Sequence, residues 1–353
     1  MESKRILIFS GKGDDMMAES FRAAFVTLGH TAEIFFVQFP HHYSLYFMKL
    51  ANRFSFDRSM LRWWHAYKKF SARAYEEKIQ SWKPDLVLMI GFNGMDATSM
   101  RRVVSESKAS VAYYIIADPL VTGKSDVLYL DHLVACSHLF FQCSESMPTM
   151  RLISDAHCEE LVVPADPMIF KLIPNTERDI DILMVGHFSS TSTSTVTKLY
   201  LLNCLCKGGL SVSIAGSGAS QAIKNPLFPE LSRAKILFDR SISSEELNML
   251  HNRAKIVLAT GHLRDKGAPH PRVIEAALSG AFALADNQPE IKTMFSNAIP
   301  ICVTVEDFAD KAVYYLANSA ERESMAKVAQ EIASKKYTYT QAAKQIVQTV
   351  FLA

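Results

Sequence analysis

A chain of 353 residues, 49% hydrophobic and 21% charged, is long enough for two domains with separate cores and too ordinary in composition for a disordered or fibrous protein. A formal charge of +2 makes no general case for a nucleic-acid partner. No apolar run approaches the ~20 residues of a membrane span, and the five residues between Arg5 and Gly11 are too few for the core of a signal peptide.

The six cysteines, at positions 136, 143, 158, 204, 206 and 302, show no metal-ligand spacing, which predicts reduced thiols in a cytoplasmic protein.

The first half predicts alternating strands and helices. Arg5–Ser10 reads as a buried strand, followed by the turn Gly11-Lys12-Gly13-Asp14-Asp15, a helix over Met16–Leu28 closed by Gly29, and a strand over Glu33–Phe39. That is a βαβ opening. The turn is not a dinucleotide fingerprint, because Met16 stands where a third glycine is required and no acid ends the second strand.

Residues 41–83 carry nine Lys/Arg against three Asp/Glu, interleaved with aromatics that include all three tryptophans. Two readings stand: a helix pair with its aromatics inward and a solvated basic face, or a surface that lies on an anionic membrane and receives a lipid-linked acceptor.

Asp85–Ile90 and Val111–Ala117 read as further buried strands, the second ending on Asp118-Pro119. That carboxylate sits at the carboxyl edge of a sheet, as a functional group or as a turn former. Glu160–Pro164 reads as a last short strand. Pro164–Pro174, with three prolines in eleven residues, reads as a linker.

The alternation restarts at Ile182–Gly186. A helix near Val196–Lys207, strands over Ser211–Ala215 and Ile236–Phe238, and a helix over Ser244–Asn252 with a cap signal at Ser243 follow. The low-complexity run Ser189–Thr197 reads as a loop. The turns Gly186-His187 and Gly216-Ser217-Gly218 each close a strand and aim backbone amides at one sheet edge.

The strand Lys255–Thr260 opens into a loop at the same edge. It carries Arg264, Lys266 and Arg272 among glycine and prolines and enters a helix over Arg272–Ser279. Cations beside a helix start suit a diphosphate. Glu275 is the one acid among Val273, Ile274, Ala276, Ala277 and Leu278 on that helix. It is either a surface acid favoured by the helix dipole or a carboxylate that accepts from two ribose hydroxyls. Asp179-Ile180-Asp181 has the spacing of a divalent-metal motif but begins a strand, at the opposite edge, so no metal site is expected.

Pro271–Ala281, with Asp286 closing the next strand, resembles the donor-site segment of CgeB-like glycosyltransferases, relatives of the retaining family 4 enzymes. Asp181–Gly186, Ile214–Gly218 and the segment from Glu321-Arg322 to Tyr337-Thr338-Tyr339 are similar to other parts of that family, from about Tyr113 onward.

The resemblance implies an α/β chain of GT-B fold: two Rossmann-like doubly wound parallel-sheet domains facing across a cleft, at 1–170 and 171–335. A last segment, 336–353, is expected to cross back to the first domain, with Gln341–Phe351 as its helix. It implies donor contacts at Gly186, His187, Gly216, Ser217, Gly218, Gly267, His270, Arg272, Val273 and Glu275, with the nucleobase held by the backbone of Arg240, Ser241 and Ile242. Gly11, Lys12, Gly13 and Asp14 face the acceptor side, and Asp118 orients the acceptor hydroxyl. One departure matters. The family's first glutamate, eight positions before Glu275, is replaced by Gly267, leaving loop amides in its place.

The implied reaction is metal-independent, retaining transfer of a sugar from a UDP- or GDP-type nucleotide sugar to a glycan, lipid-linked or other acceptor in cell-surface polysaccharide assembly. Arg264 and Lys266 stabilise the leaving diphosphate. No bound cofactor and no nucleic acid is expected, and the location is the cytoplasm or the inner face of the membrane. Competing readings are a noncatalytic surface- or spore-assembly protein of the same fold, and an epimerase or hydrolase of nucleotide sugars.

Overall fold

A computed structural model describes residues 2–10, 15–36, 72–91, 95, 97–116, 133–188, 193–261 and 269–352. Asp118, Arg264, Lys266, Gly267, the Gly11–Asp14 turn and most of the basic aromatic region lie outside the described residues. The chain divides into two compact units, one of Met1–Leu161 with Ala343–Ala353 and one of Val162–Ala342.

The first unit holds a sheet of β1 (Arg5–Ser10), β2 (Thr31–Phe35), β3 (Leu86–Ile90), β4 (Ser110–Ile115), β5 (His138–Phe141) and β6 (His157–Glu160). Its order is β2-β1-β3-β4-β5-β6, every neighbour pair parallel. Strands such as LVLMI are buried at every position instead of alternating, because helices cover both faces of a parallel sheet.

The last strand comes earlier than its apolar residues suggest. Its sequence HCEE buries one side chain, Cys158, as an edge strand can. The valines that pointed to 160–164 follow it.

In the described part of the basic aromatic region, 72–82 is helical and its aromatics turn inward. Tyr75 is buried 4.6 Å from Phe9 and 5.4 Å from Phe35, while Lys78 pairs with Glu33 and Arg73 with Glu77. Gln345 and Thr349, on the final helix Tyr339–Leu352, donate to the Glu159 carboxylate of β6 at 2.6 Å each.

The second unit holds β7 (Ile180–Val185), β8 (Val212–Ala215), β9 (Lys235–Phe238), β10 (Ala254–Ala259), β11 (Ala283–Asp286) and β12 (Ile301–Cys302). The order is β12-β11-β10-β7-β8-β9, again parallel throughout. The helix Ser244–Arg253 begins in a full capping box, Ser243 accepting from the Glu246 amide and Glu246 from the Ser243 amide.

The serine- and threonine-rich run is partly helical, since Thr193–Lys207 forms one helix. Burial of Thr195, Leu199, Leu202 and Leu205 outweighs the weak propensity of its first turn.

The proline-rich segment after β6 is stapled to the second unit. Ala165 donates to the Tyr337 carbonyl at 3.0 Å, and Asn248 and Asn252 accept from the amides of Lys171 and Ile173 at 3.0 and 2.7 Å. Among the described residues, no helix is long and apolar enough to cross a membrane.

Candidate functional site

The chain of the second unit runs from β7 outward through β8 and β9, then returns to the other side of β7 for β10, β11 and β12. In an open parallel sheet, ligands bind at the carboxyl ends of the strands where the order reverses. Here that point lies after Val185 and Ala259. Two glycine turns cross beside it. A β-carbon on Gly216, whose φ is +136°, would collide with the Gly186 carbonyl. Gly186 donates to the Ala215 carbonyl at 3.0 Å and Phe188 to Ser217 at 2.9 Å, locking the turns together.

Lys198 approaches this crossing from the helix Thr193–Lys207. Its Nζ lies 3.5 Å from where a β-carbon on Gly186 would stand. Burial lowers the lysine's pKa first, the neighbouring Arg272 adds to that, and Asp286 opposes it.

The helix Pro271–Leu278 brings its first turn to the same edge. The His270 ring caps it, Nδ1 accepting from the Arg272 amide at 3.1 Å. Val273, Ile274, Ala276, Ala277 and Leu278 are buried, which anchors the helix and leaves Arg272 and Glu275 as its polar pair. Arg272 Nε lies 4.0 Å from Glu275 Oε2, too far for a hydrogen bond. Burial raises the Glu275 pKa, with Arg272 opposing. Glu275 is therefore not a surface acid. Tyr339, its electrostatic neighbour, has its hydroxyl pushed up mainly by burial.

From β11 comes Asp286, whose Oδ2 accepts from the Gly261 amide at 2.8 Å. Gln288 occupies the space in which a β-carbon on Gly261 would sit. Burial raises the Asp286 pKa against the pull of that amide and of Lys198.

Six buried side-chain atoms in the stretch 272–290 have no hydrogen-bond partner among the described residues: Arg272 Nε and Nη1, Glu275 Oε2, Asp286 Oδ1, Gln288 Oε1 and Glu290 Oε2. Enclosed polar atoms of this kind cost free energy unless a ligand or water meets them. Two are cationic donors suited to phosphate oxygens, and four are acceptors suited to hydroxyl groups.

The remaining expected donor residues are placed differently. Gly218 and its neighbours Ala219 and Ser220 give their amides to Asp239, whose pKa is held low first by the Ser220 hydroxyl and then by those amides. The Arg240 guanidinium is bound by Glu246 at 2.6 and 2.9 Å and stacks 4.8 Å from the Phe238 ring, so only its backbone is free for a base. Ser217 and Ser241 share a hydroxyl contact at 3.4 Å. His187 is exposed, Val273 is buried, and Ile242 packs against the same core.

Sequence reasoning passed over Lys198, Gln288 and Glu290. For Lys198 the signal was the one used for Glu275, a single charge within an apolar helical run, here TVTKLYLL. Asp179 and Asp181 are engaged at the opposite edge, Asp179 with Arg253 at 2.5 Å and Asp181 with Lys255 at 2.6 Å.

Residues 200–348 match a protein-family model described as glycosyl transferase-like. No curated protein sequence matches the chain. Among solved structures, sucrose-phosphate synthase from Thermosynechococcus elongatus superposes with a TM-score of 0.69 at 12% identity, over 98% of each chain. An alpha-glucosyltransferase in complex with UDP-glucose and DNA gives 0.66 at 13% identity, covering 99% of this chain and 100% of that one. Anabaena HepE in complex with UDP-glucose gives 0.60 at 14% identity, with the same coverage. The fold is that of the GT-B glycosyltransferases, and residues 200–348 are similar to a glycosyl transferase-like domain.

Proposed function

We propose that the protein transfers a sugar from a nucleotide diphosphate sugar to an acceptor hydroxyl, with retention and without a metal ion. The observation that carries this reading is the set of unpartnered buried atoms at the carboxyl edge of β10 and β11, two arginine donors beside Lys198 and four acceptors beyond them. Lys198 and Arg272 hold the diphosphate, and their attraction grows as negative charge develops on it during departure. Glu275 accepts from the ribose hydroxyls. Asp286 and Gln288 accept from hydroxyls of the sugar, the task left open by Gly267. In the same reading Arg264 and Lys266 complete the diphosphate grip, and Asp118 orients the acceptor, a glycan or lipid-linked hydroxyl of the kind used in cell-surface polysaccharide. The UDP-glucose carried by two structural neighbours favours a UDP-type donor.

Titration calorimetry with UDP, GDP and UDP-glucose, followed by a donor-hydrolysis assay, tests the reading. Saturable nucleotide binding that weakens in Arg272→Gln supports it. Absence of nucleotide binding would leave a noncatalytic protein of the same fold, and rapid turnover without acceptor a hydrolase.

A further inference from the structure

At the amino-terminal edge of the second sheet, opposite the donor edge, lies a cavity of about 360 Å³ lined by Arg178, Lys255, Arg322, Lys327, Glu323 and Gln330 over an apolar floor that includes Phe282 and Ala326. Four cations face two nearby carboxylates, Glu323 and the Asp181 that pairs with Lys255 at 2.6 Å.

Part of this charge has a structural task. Arg178 donates to the carbonyls of Ala254 and Gly280 at 2.6 and 2.7 Å, and Arg322 Nη1 to that of Tyr315 at 2.6 Å. Those carbonyls occupy only part of the guanidinium donor set. Nε and Nη2 of Arg322 have no partner among the described residues, and Lys327 has neither an ion pair nor a hydrogen bond there. The two arginines also repel each other: burial lowers the Arg178 pKa first, Arg322 lowers it further, and Glu323 opposes both. Four cations against two carboxylates leave an excess of positive charge in one cavity, which an anion stabilises. Gln330 donates its amide nitrogen to the Leu278 carbonyl at 3.1 Å, which leaves its oxygen to accept from a hydroxyl.

We propose that this cavity binds a phosphate monoester of a small hydroxylated molecule. A planar fork and an ammonium suit the phosphate dianion. The volume lies in the range of small-molecule sites, ~300–1,000 Å³, and leaves room for a carbon skeleton beside the phosphate. The site uses none of the donor-edge residues, so it stands or falls apart from the glycosyl-transfer reading. It is nevertheless joined to that edge, because Gln330 holds the last carbonyl of the helix that carries Arg272 and Glu275, and Arg178 holds the Gly280 carbonyl just beyond it.

Calorimetric titration of the full chain with glucose 6-phosphate as the probe, inorganic phosphate serving as competitor, decides the matter. The expected result is saturable binding at one site per chain that phosphate displaces. Affinity falls about tenfold or more in Lys327→Glu, an exposed position whose change leaves the melting temperature in place, and is unaltered in Lys198→Met. The proposal is overturned by lack of saturable binding at millimolar probe, by equal affinity in Lys327→Glu, or by loss of binding in Lys198→Met.

Discussion

Lys198 Nζ stands 3.5 Å from the place a β-carbon would take on Gly186, so a helix side chain and a strand-end glycine share one small space. The glycine lets the ammonium reach the carboxyl edge of β7. Replacement by methionine keeps the packing of the stem but removes the cation, and a fall in kcat of about 10²-fold is expected, the usual scale for one preorganised group at a leaving oxyanion.

The pH profile gives a second test of the same residue. Only the protonated amine helps a diphosphate, and burial with Arg272 lowers its pKa. Activity at low donor concentration should therefore fall with rising pH before the ordinary lysine range is reached. Lys198→Arg should carry that limb upward. An identical limb in the arginine variant removes Lys198 from the diphosphate.

Glu275 predicts proton release on nucleotide binding. Burial raises its pKa in the free protein, so just above the ordinary carboxylate pKa of ~4.5 it holds a proton that the unfolded chain has lost. In that window the native state binds more protons than the unfolded state, and stability falls as pH rises through it. A diol that donates to the carboxylate favours its ionised form and drives the proton off. Calorimetry at mildly acidic pH, in buffers of different ionisation enthalpy, should show release for the native protein and none for Glu275→Gln.

Much of the fold was legible because parallel strands buried on both faces write themselves as unbroken apolar runs, as in RILIFS, LVLMI and IDILMV. The capping box at Ser243 was equally plain, since it depends on side chains four residues apart or fewer. Residues whose role depends on distant partners were not. Asp239 lies 19 residues after Ser220, yet it takes the amides that the glycine turn had suggested for an anion. The helix starting at Thr193 owes its first turn to tertiary burial, not to propensity, so its start was read three residues too late, at Val196. Glu275, Arg272 and Asp286 could be named from the sequence, but that each keeps a buried atom without a hydrogen-bond partner among the described residues could be learned only from the structure.

Gly216 should tolerate no side chain. Its φ of +136° excludes L residues, and its missing β-carbon is the space filled by the Gly186 carbonyl. Strain and clash together should cost about 3 kcal/mol in Gly216→Ala. Gly209, also at positive φ but with open space around it, should lose about 1 kcal/mol on the same change. Thermal unfolding of the two variants checks the order, and equal losses would mean that the two turns do not meet as described.

Asn248 and Asn252, one helical turn apart, hold the proline-rich segment in place. Asn252 accepts from the Ile173 amide at 2.7 Å and donates to the Lys171 carbonyl at 3.0 Å, while Asn248 accepts from the Lys171 amide at 3.0 Å and from the Ser279 hydroxyl at 2.8 Å. Both asparagines are nearly fully buried, so truncation leaves backbone groups without partners in a dry setting. Asn252→Ala should cost about 3 kcal/mol, the sum of a lost hydrogen bond and the desolvation of what it served. The two residues also touch each other, Nδ2 of Asn252 lying 3.3 Å from Oδ1 of Asn248, and both serve Lys171. The double variant should therefore lose less than the sum of the single ones, with a coupling of about 1 kcal/mol. Amide exchange at Lys171 and Ile173 separates this from general loosening: both amides should lose protection in Asn252→Ala while those of β7 keep theirs. Unchanged exchange at Ile173 would show that the segment is held by its prolines and apolar anchors instead.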